Sequence, residues 1–313
     1  MNVLVSGANG FVGKAVCEHL IELGFNVKGA VRGEPMTSYQ VVSPALSENA
    51  NWATSLQGMD VIVHCAARVH VMSECDADPL SAFRAVNTLG TLNLARQAAK
   101  SGVKRFIFIS TIKVNGESTE PGKPFTEQIV SSPIDPYGRS KYEAELGLLA
   151  LANESQMEVT IIRPPLIYGA GVKANFASMV KWVLKGIPLP FARVDNARSL
   201  LGLPNLCDFV ARVLTHPGAA NQVFLVADPK PYSTSTLLGE IALAHGKSAR
   251  LFYIPPTIIR VLGKACGLDA KLQRLFGSLE MDTRKARRQL QWHAPYTITE
   301  TLSSMASSHT ESC

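Results

Sequence analysis

The six cysteines of this 313-residue chain lack the spacing of a metal site or a disulfide framework. They are Cys17, Cys65, Cys75, Cys207, Cys266 and Cys313. They occur singly, with no CxxC pair, and the seven histidines show no ligand spacing with Cys, Asp or Glu. The sequence therefore predicts no metal, and it is typical of a protein kept in a reducing cytoplasm.

Long apolar runs and a strong charge of one sign are also missing. No apolar stretch approaches membrane-spanning length, and no basic and apolar leader precedes the first strand pattern. The net charge of +6 is modest for this length. The tightest basic run, residues 284–288, has no interleaved aromatics to stack on bases, so we interpret it as a solvated helix face. These absences predict a cytoplasmic protein with no membrane span and no nucleic-acid partner.

Short β-rich runs alternate with helix-patterned stretches in the first half of the chain, which predicts a doubly wound parallel α/β sheet. The predicted strands are residues 3–5, 27–30, 61–63, 106–109 and 159–162, and the predicted helices are residues 12–23, about 80–100 and about 137–151. Beyond residue 163 the pattern becomes irregular. We therefore predict one domain over residues 1–165. A smaller, intimately joined portion over residues 166–313 would return some segments to it.

The first predicted strand runs into a loop of sequence GANGFVG that opens the first helix. Its glycines have three-residue spacing, which departs from GxGxxG but suits the same strand-to-helix turn. Small residues let the backbone approach a pyrophosphate, and the helix N-terminus offers unpaired N–H groups. We predict a Rossmann-type dinucleotide site, the alternative being a tight turn without a ligand. The predicted contacts are Gly7, Asn9, Gly10, Phe11, Val12 and Gly13.

The position that selects between the two nicotinamide dinucleotides carries a base instead of an acid. About twenty residues after the glycine loop, an acidic residue would hold the ribose hydroxyls of NAD. The second strand instead ends in Ala30-Val31-Arg32-Gly33. Because an arginine can pair with a 2′-phosphate, the sequence favours NADP(H). NAD remains possible if Arg32 is only a surface side chain.

Tyr137 and Lys141 lie four residues apart, so a helix would present both on one face. Pro136, directly after Asp135, suits the first turn of that helix. An exposed helix can carry such a pair by coincidence. Together with the glycine loop, however, the pair indicates a nicotinamide enzyme.

Several separate motifs resemble the extended short-chain dehydrogenase/reductase superfamily (the NAD-dependent epimerase/dehydratase family) over about residues 1–300. Residues 60–67 are similar to its fourth strand and cofactor turn, and residues 109–111 to its strand with a catalytic hydroxyl. More narrowly, residues 67–72 and 112–117 look like stretches of bacterial O-antigen nucleotide-sugar 4-ketoreductases and related 4-epimerases. The resemblance implies a UDP-sugar substrate and a homodimer.

The resemblance also implies site residues. Beyond the glycine loop and Arg32, the cofactor would contact Cys65, Ala66, Ala67, Asn87, Ser110, Tyr137, Lys141 and Pro164. The substrate would contact His70, Thr111, Lys113, Asn175 and Arg198. Leu166 stands where nucleotide-sugar members commonly have an asparagine, and Pro44 where the family has an acid that meets adenine. Neither of those two contacts is predicted.

The implied chemistry moves a hydride between nicotinamide and a sugar carbon while a proton moves at the sugar oxygen. An ordinary tyrosine has a pKa near 10, so ready proton exchange near neutrality needs a downward shift of ~3 units. The charge of Lys141 would contribute to that shift at Tyr137. Thr111 would hydrogen-bond the reacting oxygen and hold it in line with the phenol.

Three functions follow from this reasoning. The leading hypothesis is an NADPH-dependent reductase of the C4 keto group of a UDP-4-keto-6-deoxy-N-acetylhexosamine. The alternative is a UDP-sugar 4-epimerase with retained NAD, and a third hypothesis is a catalytically silent regulator that senses the dinucleotide. A 4,6-dehydratase is disfavoured because Ile112 stands where that branch supplies an acid.

Overall fold

The computed structural model describes residues 1–69, 78–255, 258–259, 272 and 275–310. Its strands are β1 (Asn2–Ser6), β2 (Asn26–Val31), β3 (Gln40–Val42), β4 (Val61–His64), β5 (Arg105–Ile109), β6 (Glu158–Arg163), β7 (Leu166–Tyr168), β8 (Leu200–Gly202) and β9 (Gln222–Leu225). Seven of them form one parallel sheet in the order β3-β2-β1-β4-β5-β6-β9, and β7 pairs with β8. The predicted doubly wound parallel sheet is confirmed.

Helices cover both faces of the sheet. They are α1 (Phe11–Glu22), α2 (Ala53–Leu56), α3 (Pro79–Phe83), α4 (Thr91–Lys100), α5 (Pro136–Glu154), α6 (Ala174–Leu184), α7 (Leu203–Thr215), α8 (Thr234–Ala244), α9 (Arg284–Leu290) and α10 (Ile298–Thr310). The basic run lies on α9, with Arg284, Arg287 and Arg288 exposed and Ala286 buried, as predicted for a solvated helix face. Within the described residues, no helix has the length and apolar character needed to cross a membrane.

The order in which the chain adds strands to the sheet reverses at β1, and this reversal positions the site. Val3 of β1 pairs with Val27 on one side and with Val61 on the other. The chain therefore leaves β1 toward β2 and returns beyond it to β4, which opens a crevice at the carboxyl ends of β1 and β4. These strands are buried on both faces, so they read as short apolar runs rather than alternating ones.

The predicted single helix over residues 80–100 is wrong in its detail. A π-helical stretch, Arg84–Gly90, separates α3 from α4. Within it, Asn87 accepts a hydrogen bond from the N–H of Arg68 (2.8 Å) and donates to the carbonyl of Arg68 (3.0 Å) and to Ser140 Oγ (3.1 Å). These partners are far away in sequence, so local periodicity does not reveal the wider turn.

The second half of the chain is packed into the first. The strand β9 joins the main sheet beside β6, and the apolar face of α7 shares one core with α1 through residues such as Leu206 and Phe209. A separate apolar cluster gathers α6, α8 and α10 around Phe176 and Leu238. Segments of the second portion thus return to the sheet and core of the first, and the boundary near residue 165 stays a prediction.

Candidate active site

The glycine loop forms a cradle between β1 and α1. Gly7 has a φ of +74°, and the N–H of Gly10 donates to the Gly7 carbonyl at 2.9 Å. A Cβ on Gly7 would lie 2.9 Å from the Cα of Ala66, and a Cβ on Gly13 would overlap the carbonyl oxygen of Gly7. Side chains at these two positions would close the crevice.

The N-terminus of α1 suits an anion. Its N-cap, Gly10, supplies no side-chain hydrogen bond, and no acidic residue stands in the first turn of this described helix. The backbone N–H groups of Phe11, Val12 and Gly13 therefore stay available as hydrogen-bond donors. The side chains of Phe11 and Val12 pack on the core. Asn9 is exposed beside them. This cradle fits the pyrophosphate of a dinucleotide.

A buried polar chain holds the opposite wall of the crevice. Ser6 Oγ lies 2.7 Å from His64 Nδ1, and His64 Nε2 lies 2.9 Å from Thr91 Oγ1. Ser6 Oγ also accepts the N–H of Ala66 (3.3 Å), and the Ser6 carbonyl accepts that of Cys65 (3.2 Å). Burial, with the charge of Lys141, lowers the pKa of His64 to about 3, so the imidazole stays neutral. Ser6 and His64 thus shape the cofactor turn, a role that their sequence positions did not suggest.

The helix that carries Tyr137 and Lys141 begins as predicted. Asp135 is its N-cap and accepts the N–H of Gly138 at 2.8 Å, and Pro136 occupies the first turn. Lys141 is buried, with Nζ donating to the Ile109 carbonyl at 2.7 Å and lying 3.8 Å from the centroid of the Phe108 ring. Tyr137 is half-buried as a residue, and its ring meets the buried Phe83 ring edge-on, with 5.9 Å between centroids.

Gly138 lets this helix approach the strand end that carries Thr111. Thr111 caps a short 3-10 turn, Ile112–Val114, and its Oγ1 accepts the N–H of Lys113 at 3.3 Å. A Cβ on Gly138 would lie 2.8 Å from the carbonyl oxygen of Lys113. Gly138 was not among the predicted site residues, although its place directly after the tyrosine is visible in the sequence.

We expect Gly138→Ala to lower kcat by about tenfold, because the added methyl group displaces the first turn of α5 from the Thr111 strand end. A matched control is Gly239→Ala on α8, where the added Cβ has no atom within 4 Å outside its own helix among the described residues. Steady-state kinetics compare the two variants. An unchanged kcat in Gly138→Ala would show that the close approach is irrelevant to turnover.

The electrostatics of the tyrosine and lysine depart from the sequence expectation. Burial, reinforced by Asp135, raises the pKa of Tyr137 to about 12. Burial also lowers the pKa of Lys141 to about 7, against the opposing charges of Glu145 and Cys65. Burial therefore outweighs the downward pKa shift that the charge of Lys141 was expected to produce at Tyr137.

Three predicted cofactor residues have other contacts. The Ser110 hydroxyl donates to the Glu145 carboxylate. Asn87 ties the loop after β4 to α5. Pro164 is buried, and its carbonyl accepts the N–H of Ile112 at 2.9 Å. These contacts hold the strand ends and the loop after β4 in place, and the cofactor contacts of the three residues stay predictions.

The predicted substrate residues differ in the contacts that they already make within the chain. Lys113 forms ion pairs with Glu117 (3.0 Å) and Asp135 (3.2 Å). Arg198 donates from Nη1 to the Gly277 carbonyl at 2.9 Å. Asn175 is exposed at the start of α6, and Arg32 is exposed directly after β2. His70 lies outside the described residues.

A glycine cradle at the reversal point of a parallel sheet, facing a tyrosine and a lysine on one helix turn, defines a dinucleotide-binding enzyme of the short-chain dehydrogenase/reductase type. The sequence profile of the NAD dependent epimerase/dehydratase family matches residues 3–227. A UDP-glucose 4-epimerase of Vibrio cholerae is 45% identical over 303 residues, which cover 96% of this chain and 92% of that protein. The chain belongs to the NAD dependent epimerase/dehydratase family, which confirms the resemblance.

Solved structures share the fold over the whole chain. A UDP-glucose 4-epimerase of Thermotoga maritima, solved with UDP-glucose, has a TM-score of 0.79 at 22% identity and covers 100% of this chain and 99% of its own. A UDP-glucuronic acid 4-epimerase of Bacillus cereus, in complex with NAD, has a TM-score of 0.79 at 20% identity and covers 99% of this chain and 97% of its own. At these identities the likeness establishes the Rossmann-type fold.

Proposed function

We propose that this protein is a UDP-hexose 4-epimerase that retains NAD and interconverts UDP-glucose and UDP-galactose. The observation that carries the proposal is the 45% identity to the Vibrio cholerae UDP-glucose 4-epimerase, which extends over 92% of that protein. This relative supports the UDP-sugar 4-epimerase, which was the alternative hypothesis, over the leading 4-ketoreductase hypothesis. Among the fold relatives, a UDP-glucuronic acid 4-epimerase was solved with NAD, which supports NAD as the cofactor.

The residues present fit the dinucleotide. The N–H groups at the start of α1 would bind the pyrophosphate, because the glycine cradle admits it and no side chain caps this described helix. Cys65, Ala66 and Ala67 line the crevice beyond β4, on the wall that Gly7 approaches. Bound NAD would supply the acceptor and donor of a hydride at sugar C4.

Tyr137, Thr111 and Lys141 would divide the proton chemistry. The phenolate of Tyr137 would take the proton of the C4 hydroxyl when the sugar is oxidised, and the resulting phenol would return it when the keto sugar is reduced. The Thr111 hydroxyl donates a hydrogen bond to the C4 oxygen and fixes its position. The Lys141 ammonium, held by the Ile109 carbonyl, stabilises the phenolate form of Tyr137.

Arg198 and Asn175 would bind the nucleotide end of the substrate. A guanidinium can engage two phosphate oxygens at once, which suits Arg198 to the diphosphate. Asn175 opens α6 at the surface and would contact the nucleotide. Lys113 is a weaker candidate for the sugar because two carboxylates already share its charge. The homodimer implied by the resemblance stays a prediction.

The 4-ketoreductase is the second candidate, and Arg32 is the observation that favours it. Its exposed position after β2 is where a 2′-phosphate would be met, and a preference for NADPH would suit a reductase. A 4,6-dehydratase remains disfavoured because Ile112, beside Thr111, is buried and carries no acid.

The epimerase proposal predicts turnover without added dinucleotide. Purified protein mixed with UDP-glucose alone should form UDP-galactose, and acid denaturation should release NAD in preference to NADP. If UDP-glucose is unchanged while a UDP-4-keto sugar consumes NADPH, with a lower KM than for NADH, the reductase replaces the epimerase. Bound dinucleotide without turnover of either substrate would favour the regulator.

A further inference from the structure

Beneath the proposed catalytic residues lies a buried ion pair between Glu145 and Arg163. Their side chains are 1% and 4% exposed. Arg163 Nε donates to Glu145 Oε1 at 3.0 Å and Oε2 at 3.1 Å, and Nη2 donates to Oε2 at 2.6 Å. Glu145 lies one helix turn after Lys141 on α5, and Arg163 ends β6. The pair therefore joins the helix of the proposed proton-transfer residues to the neighbouring strand.

The ion pair is linked on two sides to the segment that carries Thr111, the residue proposed to contact the substrate. The Ser110 hydroxyl, directly before Thr111, donates to Glu145 Oε1. On the other side of the pair, Arg163 Nη1 donates to Oδ1 of Asn115, the residue directly after the Thr111 turn, at 3.2 Å, and to the Glu127 carbonyl at 2.9 Å. The strand end that carries Thr111 is thus fastened to α5 through Glu145 and Arg163.

We propose that Glu145, paired with Arg163, is a positioning residue that fixes the Thr111 strand end against the Tyr137–Lys141 turn. This inference rests on the proposed roles of Tyr137, Lys141 and Thr111. Glu145 touches neither the crevice nor any of those three side chains by a hydrogen bond in the described structure. Glu145 therefore acts on the reaction through Ser110, through the position of α5 and through the charge of its own carboxylate.

The charge of Glu145 adds a second, measurable effect. Burial lowers the pKa of Lys141 to about 7, and Glu145 is the first of the groups that oppose this shift. The groups that face Lys141 in the described structure are His64 of β4, Cys65 directly after β4, Glu145 of α5, and the Ile109 carbonyl and Phe108 ring of β5. Removing the carboxylate charge therefore lowers the pKa of Lys141 further and shortens the pH range in which it is an ammonium.

Glu145→Gln tests the proposal by the pH profile of kcat. We expect kcat to fall by about tenfold with KM changed by less than about twofold, since the strand end loses its anchor while substrate contacts remain. The alkaline limb of the profile should move to lower pH by about one unit. Glu145→Asp keeps the charge but shortens the side chain, so kcat should fall while the alkaline limb stays in place.

The matched control is Glu143→Gln. Glu143 lies two residues earlier on α5 and pairs with Arg84 through Nε at 2.7 Å and Nη2 at 2.5 Å, at the partly exposed side of the helix. This variant should keep kcat within about twofold and leave the alkaline limb in place. If Glu145→Gln had the same kcat and the same alkaline limb as Glu143→Gln, the proposal would be overturned.

Ser110→Ala decides the matter if Glu145→Gln does not fold, because it keeps the ion pair and removes only the link to the strand end. Its kcat should fall while the alkaline limb stays in place, and wild-type kcat in both Ser110→Ala and Glu145→Asp would overturn the proposal. Tyr137→Phe separates this inference from the proposed function. Absence of UDP-galactose with the unaltered protein refutes the proposed function, and near-normal turnover in Tyr137→Phe refutes the role of Tyr137. An inactive Tyr137→Phe beside a wild-type-like Glu145→Gln refutes only the role of Glu145.

Discussion

Replacing Tyr137 by phenylalanine is expected to lower turnover by ~100-fold or more while the protein still binds NAD. The change removes only the phenol oxygen, so the ring keeps its edge-on contact with Phe83. The proton of the C4 hydroxyl then has no acceptor on the chain at that position. Turnover of UDP-glucose and retention of the dinucleotide are measured on the same preparation.

Tyr142→Phe is the control for this result. Tyr142 lies on the same helix, directly after Lys141, and has no proposed part in the chemistry. Its variant should keep wild-type turnover. If Tyr137→Phe and Tyr142→Phe were equally active, Tyr137 would not transfer the proton.

Replacing Lys141 by methionine should abolish turnover and stabilise the fold. Burial lowers the pKa of Lys141 from 10.5 to about 7. Between those pH values the unfolded chain binds more protons than the folded one, so the wild-type free energy of unfolding rises with pH. The penalty is fully present below about pH 7 and is gone above about pH 10.5. An uncharged methionine avoids it.

The expected gain for Lys141→Met is on the order of 3 kcal/mol at pH 7, allowing for the lost hydrogen bond to the Ile109 carbonyl. Denaturant unfolding at a series of pH values measures it, and the gain should shrink as the pH rises toward 10.5. Lys100→Met, at an exposed position at the end of α4, should change stability by less than about 0.5 kcal/mol. Destabilisation by Lys141→Met at every pH would contradict the assigned burial penalty.

The main sheet could be predicted because its signals are local. Strands such as β1 and β4 are buried on both faces, so they read as short apolar runs, and the glycine loop between β1 and α1 marks the turn directly. The start of α5 is also indicated by two adjacent residues, the N-cap Asp135 and the first-turn Pro136. Family and fold followed from these signals together with the recognised motifs.

The supports of the site could not be predicted because their partners are distant in sequence. Ser6 and His64 are 58 residues apart, and Ser110 and Glu145 are 35 apart. The π-helical stretch around Asn87 depends on contacts with a loop and a helix that periodicity does not relate. The direction of the Tyr137 pKa shift was likewise hidden, because it is set by burial that only the folded chain defines.

The proposed epimerase is tested most directly by UDP-glucose that carries deuterium at C4, incubated with the purified protein and no added dinucleotide. Proton NMR of the products then reports both conversion and the fate of the label. The proposal predicts UDP-galactose that keeps the deuterium at C4, because the same carbon gives up and regains the hydride within one site. Absence of UDP-galactose, or product whose C4 position carries protium, would contradict it.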